Sequence, residues 1–262
     1  MSDATAIRVR DLVKTYALSD GEERMALENV DLDVAHGEFV CLLGPSGCGK
    51  TTLLNLLSGL DRADGGSIEI RGREGHAKPV LSYMFQDSRL LPWMSVADNV
   101  RFVLDGRNRE KHDADVAYWL ERVGLAGRGG DYPRQLSIGQ QQRVAVARAL
   151  IIRPDVLFMD EPFSALDELT ASRMREELLL LWEDLDASVV FVTHNPLEAT
   201  FLADRIVVMS PGPGRIVEDI RVADHVPRPR DPDDPKVWEA SRVAVRALGS
   251  RDGAASDAGE GT

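Results

Sequence analysis

Cysteines, lysines and long apolar runs are all scarce in this sequence of 262 residues. Its two cysteines, Cys41 and Cys48, lie close together, so no disulfide framework is predicted and a reducing compartment is expected. No apolar stretch approaches the roughly 20 residues that a membrane-spanning helix needs. The start of the chain, MSDATAIRVR, lacks the apolar region of a secretory signal. These absences favour a globular protein that folds in the cytosol.

The charge balance argues against nucleic acid as a partner. The formal net charge is -12, and the lysines are Lys14, Lys50, Lys78, Lys111 and Lys236. Because non-specific binding to nucleic acid needs clustered lysine and arginine, an acidic chain with so few lysines is poorly suited to it. An apolar content of 44% supports an ordinary buried core and excludes global disorder.

Short apolar segments alternate with amphipathic stretches along most of the chain. Strands are predicted at residues 7–9, 27–34, 39–43, 67–70, 156–159, 189–192 and 206–209. Helical patterns are predicted at residues 52–57, between about 95 and 123, at 140–152, and along the stripe of Met174, Leu178, Leu181 and Leu185. Strands that alternate with helices indicate an α/β fold with a parallel sheet, covered on both faces where the strands lack polar residues.

A glycine-rich segment between a predicted buried strand and a predicted helix matches the pattern of a phosphate-binding loop. The segment Gly44-Pro45-Ser46-Gly47-Cys48-Gly49-Lys50-Thr51, followed by Thr52, fits G-x-x-x-x-G-K-[ST]. Gly47 and Gly49 permit the tight turn that points backbone N–H groups at a polyphosphate, and the helix N-terminus adds partial positive charge. Lys50 would reach the β- and γ-phosphates, and the Thr51 hydroxyl would ligate Mg²⁺. A nucleotide-binding site is therefore predicted here.

Two adjacent carboxylates end another predicted apolar strand. Asp160 and Glu161 follow the run Val156-Leu-Phe-Met directly. Beside a phosphate-binding loop, such a pair has two roles. Asp160 would hold Mg²⁺ through water, and Glu161 would act as the general base for the attacking water. The alternative is a strand that ends in a solvated acidic turn, and the upstream loop disfavours it.

With the segments around them, these residues resemble the ATP-binding subunit of an ABC transporter. Leu136-Ser-Ile-Gly-Gln140 resembles the family signature, Gln86 matches the Q-loop, Ser164-Ala-Leu-Asp167 the D-loop, His194 the switch histidine, and Tyr16 the aromatic residue that stacks on adenine. The resemblance implies a RecA-like P-loop NTPase core with an N-terminal antiparallel β subdomain and a helical insert at about residues 88–152. It implies an ATP-binding domain over residues 5–235. A C-terminal helix at 236–248 and a disordered tail at 249–262 are expected to follow.

The resemblance also implies ligands, roles and partners. ATP would lie between Tyr16 and the loop of residues 44–52 in one chain and Ser137, Gly139 and Gln140 in a second copy, with Asp167 at the same site. Mg²⁺ would be held by Thr51, Gln86 and Asp160, and catalysis would fall to Glu161, His194 and Gln86. Closure of this homodimer on ATP would drive transmembrane permease subunits at the cytoplasmic face of the cell membrane.

Three further segments are similar to those of importers for nitrate, sulfonate and taurine. They are Phe85–Trp93, Asp160–Phe163 and Pro211–Ile216. This similarity implies uptake of a small solute that a separate solute-binding protein delivers. The ATPase of an exporter, which is more often fused to a membrane segment, and a soluble ABC ATPase, which usually carries a long coiled-coil insert, are the alternatives.

The signature segment can also be interpreted as a helix start. Ser137 followed three residues later by Gln140 forms a capping box, so Ser137 is predicted to be the N-cap of the helix that continues to residue 152. Ile138 departs from the family, in which glycine is usual. A β-branched residue suits the first position of a helix, and we expect Ser137 and Gly139 to keep the contacts of the motif.

Overall fold

The computed structural model of this chain describes residues 5–18, 21–76, 78–104, 112–231 and 234–249. The strands are β1 (Thr5–Ala17), β2 (Glu23–Ala35), β3 (Phe39–Leu43), β4 (Gly65–Ile70), β5 (Leu81–Met84), β6 (Val156–Asp160), β7 (Ser188–Thr193), β8 (Arg205–Met209) and β9 (Ile216–Arg221). The helices are α1 (Lys50–Leu57), α2 (Val96–Arg101), α3 (Asp113–Arg122), α4 (Ile138–Leu150), α5 (Glu168–Glu183), α6 (Pro196–Leu202) and α7 (Pro235–Gly249). The chain divides into two compact units. The first unit is Met1–Arg71 with Val190–Thr262, and the second unit is Gly72–Val189.

The first unit combines an antiparallel sheet with parallel strands. Strands β2, β1 and β4 form the antiparallel sheet, in which Val9 lies opposite Leu32 and Ile68. Strand β3 is buried at every position and pairs in parallel with β8, while β9 pairs antiparallel with β8. The part of β7 that begins at Val190 lies on the other side of β3. Since ligands of parallel sheets bind beyond the carboxyl ends of the strands, the segments that follow β3 and β7 are placed to form a site.

In its described residues, the second unit joins two parallel strands to four helices. Strands β5 and β6 pair in parallel, with Leu81 opposite Val156 and Met84 opposite Met159. Helix α4 contacts α2, α3, α5 and β5, so it is the central helix of this unit. The parallel pairing brings the segments after Met84 and after Asp160 to the same edge, where polar side chains from both can meet.

Several predicted elements change in the structure. Strand β1 has 13 residues, because β-bulges let it continue past the short predicted segment, with Asp11 at φ 48°. The helical pattern predicted between about 95 and 123 corresponds to two helices, because α2 ends at Arg101 and α3 begins at Asp113, while residues 105–111 lie outside the described part of the chain. Leu185 is buried but lies beyond the end of α5, where its N–H closes a turn on Trp182 O at 2.9 Å.

Three short elements of the structure, β5, β9 and α6, were not predicted from the sequence. Strand β5 has four residues, β9 contains the adjacent exposed residues Glu218 and Asp219, and α6 has seven residues starting at Pro196. Each is too short or too polar for hydrophobic periodicity to identify. Helix α7 occupies the region predicted as a terminal helix and includes Gly249, the first residue of the predicted tail at 249–262, whose other residues lie outside the described ones. Within the described ranges, no helix combines the length and apolar character needed to cross a membrane.

Candidate nucleotide-binding site

The segment after β3 folds as a tight loop that leads directly into α1. Gly47 and Gly49 have φ values of 76° and 97°, in the left-handed region that favours glycine. At Gly49, a Cβ would also lie 2.8 Å from Ala26 O and 2.7 Å from Leu27 Cδ2, so only glycine fits. Helix α1 begins at Lys50 without a side-chain cap on its N-terminal N–H groups. Uncapped N–H groups at a helix start are suited to an anion, which confirms the predicted strand–loop–helix context.

The amino group of Lys50 lies inside the loop. Its Nζ donates to Gly44 O at 2.7 Å and to Pro45 O at 2.9 Å, and the residue is 5% exposed. Cys48 packs beside it, with Sγ 3.8 Å from Nζ, and burial raises the pKa of the Cys48 thiol. The thiol is therefore neutral at physiological pH and fills space in the loop. The cation of Lys50 is held at the mouth of the loop by carbonyl oxygens that a phosphate could replace as partners.

One cavity of the first unit joins the phosphate loop to His194. Its volume is about 540 Å³. It is lined by Arg24, Gly44, Pro45, Ser46, Gly47, His194, Pro196, Pro211, Gly212, Val245 and Leu248. His194 follows β7, and the next residue, Asn195, caps α6 by accepting from Leu197 N at 3.0 Å. The structure thus brings the predicted histidine to the loop and fixes the backbone that carries it.

Tyr16 lies beside the helix that follows the loop. It is 38% exposed, its hydroxyl donates to Asp61 Oδ2 at 2.8 Å, and Lys14 Nζ lies 4.9 Å from its ring centroid. Burial, followed by the bond to Asp61, raises the pKa of Tyr16, while a hydrogen bond with Thr52 acts in the opposite direction. The ring is therefore held close to Thr52, at the end of the loop that was predicted to bind the nucleotide.

The carboxylates predicted to act in hydrolysis lie at the end of β6 in the second unit. Asp160 is 8% exposed, and the Tyr83 hydroxyl lies 3.5 Å from its Oδ2. Burial, and then the Asp160 carboxylate, raise the pKa of Tyr83, so the phenol stays protonated as a donor. Glu161 adopts φ 43°, a conformation that costs a residue with a side chain about 1–2 kcal/mol. Backbone strain of this kind clusters at functional sites, which supports the role predicted for Glu161.

The loops that carry Gln86 and Glu161 are joined by hydrogen bonds. Gln86 Nε2 donates to Ser164 Oγ at 3.2 Å, and Ser164 Oγ donates to Glu161 O at 2.9 Å. Gln142 Nε2 donates to Gln86 O at 3.0 Å and also to Pro162 O. Tyr83 and Gln142 were not predicted to have a functional role. For Gln142 the available signal was a glutamine on the apolar side of a helix that begins at the signature segment.

The signature segment has the local structure predicted for it. Ser137 is the N-cap of α4, Gln140 N donates to Ser137 Oγ at 3.3 Å, and Ser137 N donates to Gln140 Oε1 at 3.0 Å. Ile138 is the first helical residue, as its β-branched side chain suggested. A Cβ on Gly139 would lie 3.1 Å from Thr170 Cγ2, so this glycine allows α4 to approach α5 closely. The capping box is confirmed, although the helix begins earlier than predicted.

Asp167 has a structural contact of its own. It is the N-cap of α5, and its Oδ1 accepts from Thr170 N at 3.1 Å. Hydrogen bonds from Thr170 lower the pKa of the Asp167 carboxyl. Its predicted contact with the nucleotide stays a prediction.

The donors available for a metal fit Mg²⁺ better than a softer ion. Within the described ranges there is no group of three or more histidine, cysteine, aspartate or glutamate side chains able to hold a metal by themselves. Mg²⁺ is usually bound through one or two carboxylates, with phosphate and water oxygens completing the shell. Asp160 and Gln86 of the second unit and Thr51 of the first unit each carry an oxygen atom of the kind that Mg²⁺ prefers, and their predicted binding of the ion stays a prediction.

A phosphate loop followed by a strand that ends in two carboxylates defines a P-loop protein that hydrolyses a nucleotide. Comparison with known proteins identifies the family: the model described as "ABC transporter" matches residues 27–164. The chain belongs to the ABC transporter family, and it is an ATP-binding ATPase of that family. This confirms the family and the fold class that the motifs predicted.

Relatives and solved structures agree with this assignment. The chain is 49% identical over 232 residues to an aliphatic sulfonates import ATP-binding protein of Cupriavidus necator, covering 86% of this chain and 72% of that protein. It is 40% identical over 252 residues to a bicarbonate transport ATP-binding protein of Synechococcus elongatus, covering 93% and 90%. The dimeric ATP-binding cassette MJ0796, bound to ADP and Pi, has a similar structure, with a TM-score of 0.71 and 30% identity over 82% of this chain and 98% of that one.

Proposed function

We propose that this chain is the ATP-hydrolysing subunit of an importer for a small anionic solute. The observation that carries the proposal is the first-unit cavity in which the phosphate loop and His194 meet. At this cavity, backbone N–H groups of the loop, the Lys50 cation and the His194 side chain are available to bind the phosphates of a nucleoside triphosphate. The direction of transport is supported by relatives that are named as import or transport subunits for aliphatic sulfonates and bicarbonate.

Each candidate residue has a role that its chemistry suits. The N–H groups of the loop at residues 44–52 and the Lys50 cation bind the phosphates, and Tyr16 stacks on the adenine. Glu161 accepts a proton from the attacking water, and His194 donates a hydrogen bond to the γ-phosphate as its charge changes. Gln86 contacts the site through its side-chain amide.

Magnesium completes the proposed site. Thr51, Gln86 and Asp160 would hold the ion, which when bound neutralises charge on the β- and γ-phosphates. The chain's own contribution is to orient these donors. The Tyr83 hydroxyl, 3.5 Å from Asp160 Oδ2, helps to orient that carboxylate.

We further propose that two copies of this chain enclose two ATP molecules. Each site would combine the loop of one chain with Ser137, Gly139 and Gln140 of the other. The exposed start of α4 supports this arrangement, since its N–H groups and dipole favour an anion. Asp167 would lie at the same junction. Closure on ATP and opening after hydrolysis would be a population shift driven by nucleotide binding.

Transmembrane permease subunits, reached at the cytoplasmic face of the membrane, are the proposed partners, with a solute-binding protein as an indirect one. Trp93 supports this, because it is 71% exposed in the segment after Gln86 that is similar to importers. Exporter and soluble ABC ATPases are the alternatives. They predict, respectively, efflux of a substrate and no membrane partner at all.

Uptake measurements test the proposal most directly. A strain that lacks the gene should lose uptake of radiolabelled ethanesulfonate or bicarbonate, and the gene should restore the lost uptake while the Lys50→Ala variant should not. The tagged chain should also co-purify with a membrane protein. Unchanged uptake of both solutes together with an absence of membrane partners would refute the importer and favour a soluble ATPase.

A further inference from the structure

The side chain of Gln142 connects three parts of the second unit. Gln142 lies on α4 and is 3% exposed. Its Nε2 donates to Gln86 O at 3.0 Å and to Pro162 O, the carbonyl directly after Glu161. A carboxamide has two N–H donors, so the two carbonyls use both of them. Of the two ends of the carboxamide only the nitrogen can donate, so the two carbonyl oxygens determine which way the Gln142 amide is turned.

The geometry points to Gln142 as a positioning residue that ties α4 to the two loops carrying Gln86 and Glu161. The inference rests on the proposed function, because the proposed function assigns Gln86 and Glu161 their roles in ATP hydrolysis. Ser164 holds the same loops from the other side through Gln86 Nε2 and Glu161 O. The carboxamide of Gln86 and the backbone of Glu161 are therefore set by one network rather than by two independent loops.

Helix α4 links this network to the signature segment. Ser137 caps the helix that contains Gln142, and five residues of helix span about 7 Å along the axis. If the N-terminus of α4 moves, Gln142 should therefore move by nearly the same distance, because a helix of this length is stiff. Phosphate engagement at Ser137 and the placement of Gln86 and Glu161 would then be coupled through one side chain.

Isosteric substitutions test this role. In the full-length protein, Gln142→Glu keeps the shape but removes both donors, and Gln142→Met keeps the volume without polar atoms. We expect either change to lower kcat for ATP hydrolysis about 10- to 100-fold, the effect of misplacing a catalytic group. The Kd for ATP, measured in a Glu161→Gln background, should change by less than about threefold, because only the hydrolytic geometry is lost.

Asn99→Asp is the matched control. Asn99 is fully buried in the same unit, and its Nδ2 donates to the carbonyl oxygens of Leu91, Met94 and Ser95, none of which adjoins a candidate catalytic residue. Thermal unfolding should show that Gln142→Glu and Asn99→Asp are both less stable than the parent protein. The kcat of the Asn99 variant, taken at a temperature at which all proteins are folded, should stay within about twofold of the parent.

A double-mutant cycle gives a second readout. If Gln142 and Ser164 hold the same loops, Gln142→Met and Ser164→Ala should not be additive in their effects on kcat. The proposal is overturned if Gln142→Glu keeps the parental kcat, or if it loses no more kcat than Asn99→Asp. Neither result bears on the proposed function, whose failure would appear instead as unchanged solute uptake in the strain that lacks the gene, together with the absence of a membrane partner.

Discussion

Lys50 Nζ lies 2.7 Å from the carbonyl oxygen of Gly44, so the cation of the phosphate loop is bound to the loop's own backbone. A phosphate that enters this loop offers a charged acceptor in place of a neutral one, which strengthens the hydrogen bonds of the ammonium group. The preorganised position of Lys50 keeps the cost of ordering its long side chain small when a nucleotide binds.

Replacing Lys50 by alanine should therefore abolish tight ATP binding. We expect the Kd for ATP, measured by calorimetry, to rise about 10- to 100-fold or more, because a charged hydrogen-bond donor is lost. Lys236→Ala, which removes an exposed lysine of α7, is the control of equal charge and should leave the Kd unchanged. Near-normal binding and turnover in Lys50→Ala would show that the nucleotide does not use this loop.

Glu161→Gln should separate binding from hydrolysis. The amide keeps the shape of the carboxylate but cannot accept a proton from water, so turnover should fall roughly 10²- to 10⁴-fold. The chain should elute as a monomer without nucleotide, and the variant with ATP should elute as a dimer on gel filtration. Glu183→Gln, an exposed change at the end of α5, is the control. Full activity in Glu161→Gln would place the base elsewhere, with His194 the next residue to test.

Ser137→Asp should keep the N-cap of α4 but prevent contact with the ATP that the second copy of the chain binds. Aspartate is as good an N-cap as serine, whereas Ser137→Ala should lower the free energy of unfolding by about 1 kcal/mol. The added carboxylate would repel the γ-phosphate, so ATP-dependent dimerisation in the Glu161→Gln background should weaken about 100-fold or more. Ser95→Asp is the control, because it makes the same change at the N-cap of α2, away from the proposed site. The protein with this substitution should dimerise normally. Normal dimerisation of Ser137→Asp would contradict the proposed sandwich.

Asp155 should make the stability of the second unit depend on pH. Burial alone would raise the pKa of this carboxyl, but hydrogen bonds from His76, Val80 N–H and Arg73 together lower it to about 2. A carboxyl whose pKa is depressed in the folded state stabilises the protein above its unfolded pKa of about 3.9, and this stability is lost as the pH falls toward 2. The contribution should be about 2.5 kcal/mol at neutral pH and roughly half of that at pH 3.

Urea unfolding of the parent and of Asp155→Asn across this range measures the effect. The difference between their unfolding free energies should shrink as the pH is lowered from 7 to 3. Asp184, which forms an exposed ion pair with Arg122 at 2.6 Å, provides the comparison. Its asparagine variant should cost less than about 1 kcal/mol with little pH dependence. A constant difference between the parent and Asp155→Asn would mean that the carboxyl titrates normally.

The features that the sequence determined by itself are local ones. The glycines at 47 and 49, the capping box of Ser137 and Gln140, and the buried strand before the loop each depend on residues within a few positions of one another. Their conformations follow from allowed φ values, from orphan N–H groups at a helix start and from apolar patterning. The motifs could therefore be located, and the family and the hydrolytic class predicted, before any tertiary contact was known.

Tertiary structure decided the contacts between segments that are distant in the chain. Gln142 reaches Gln86 across 56 positions, and the Tyr83 hydroxyl meets Asp160 across 77. The local pattern could place Gln142 on the apolar side of its helix, but it could not identify the acceptors of a buried amide or phenol, because folding supplies them. The length of β1 was decided in the same way, by its pairing with β2 and β4 rather than by its own residues. Periodicity reports which face of a segment is buried, but the hydrogen-bond partner of a buried polar group exists only after the chain has packed.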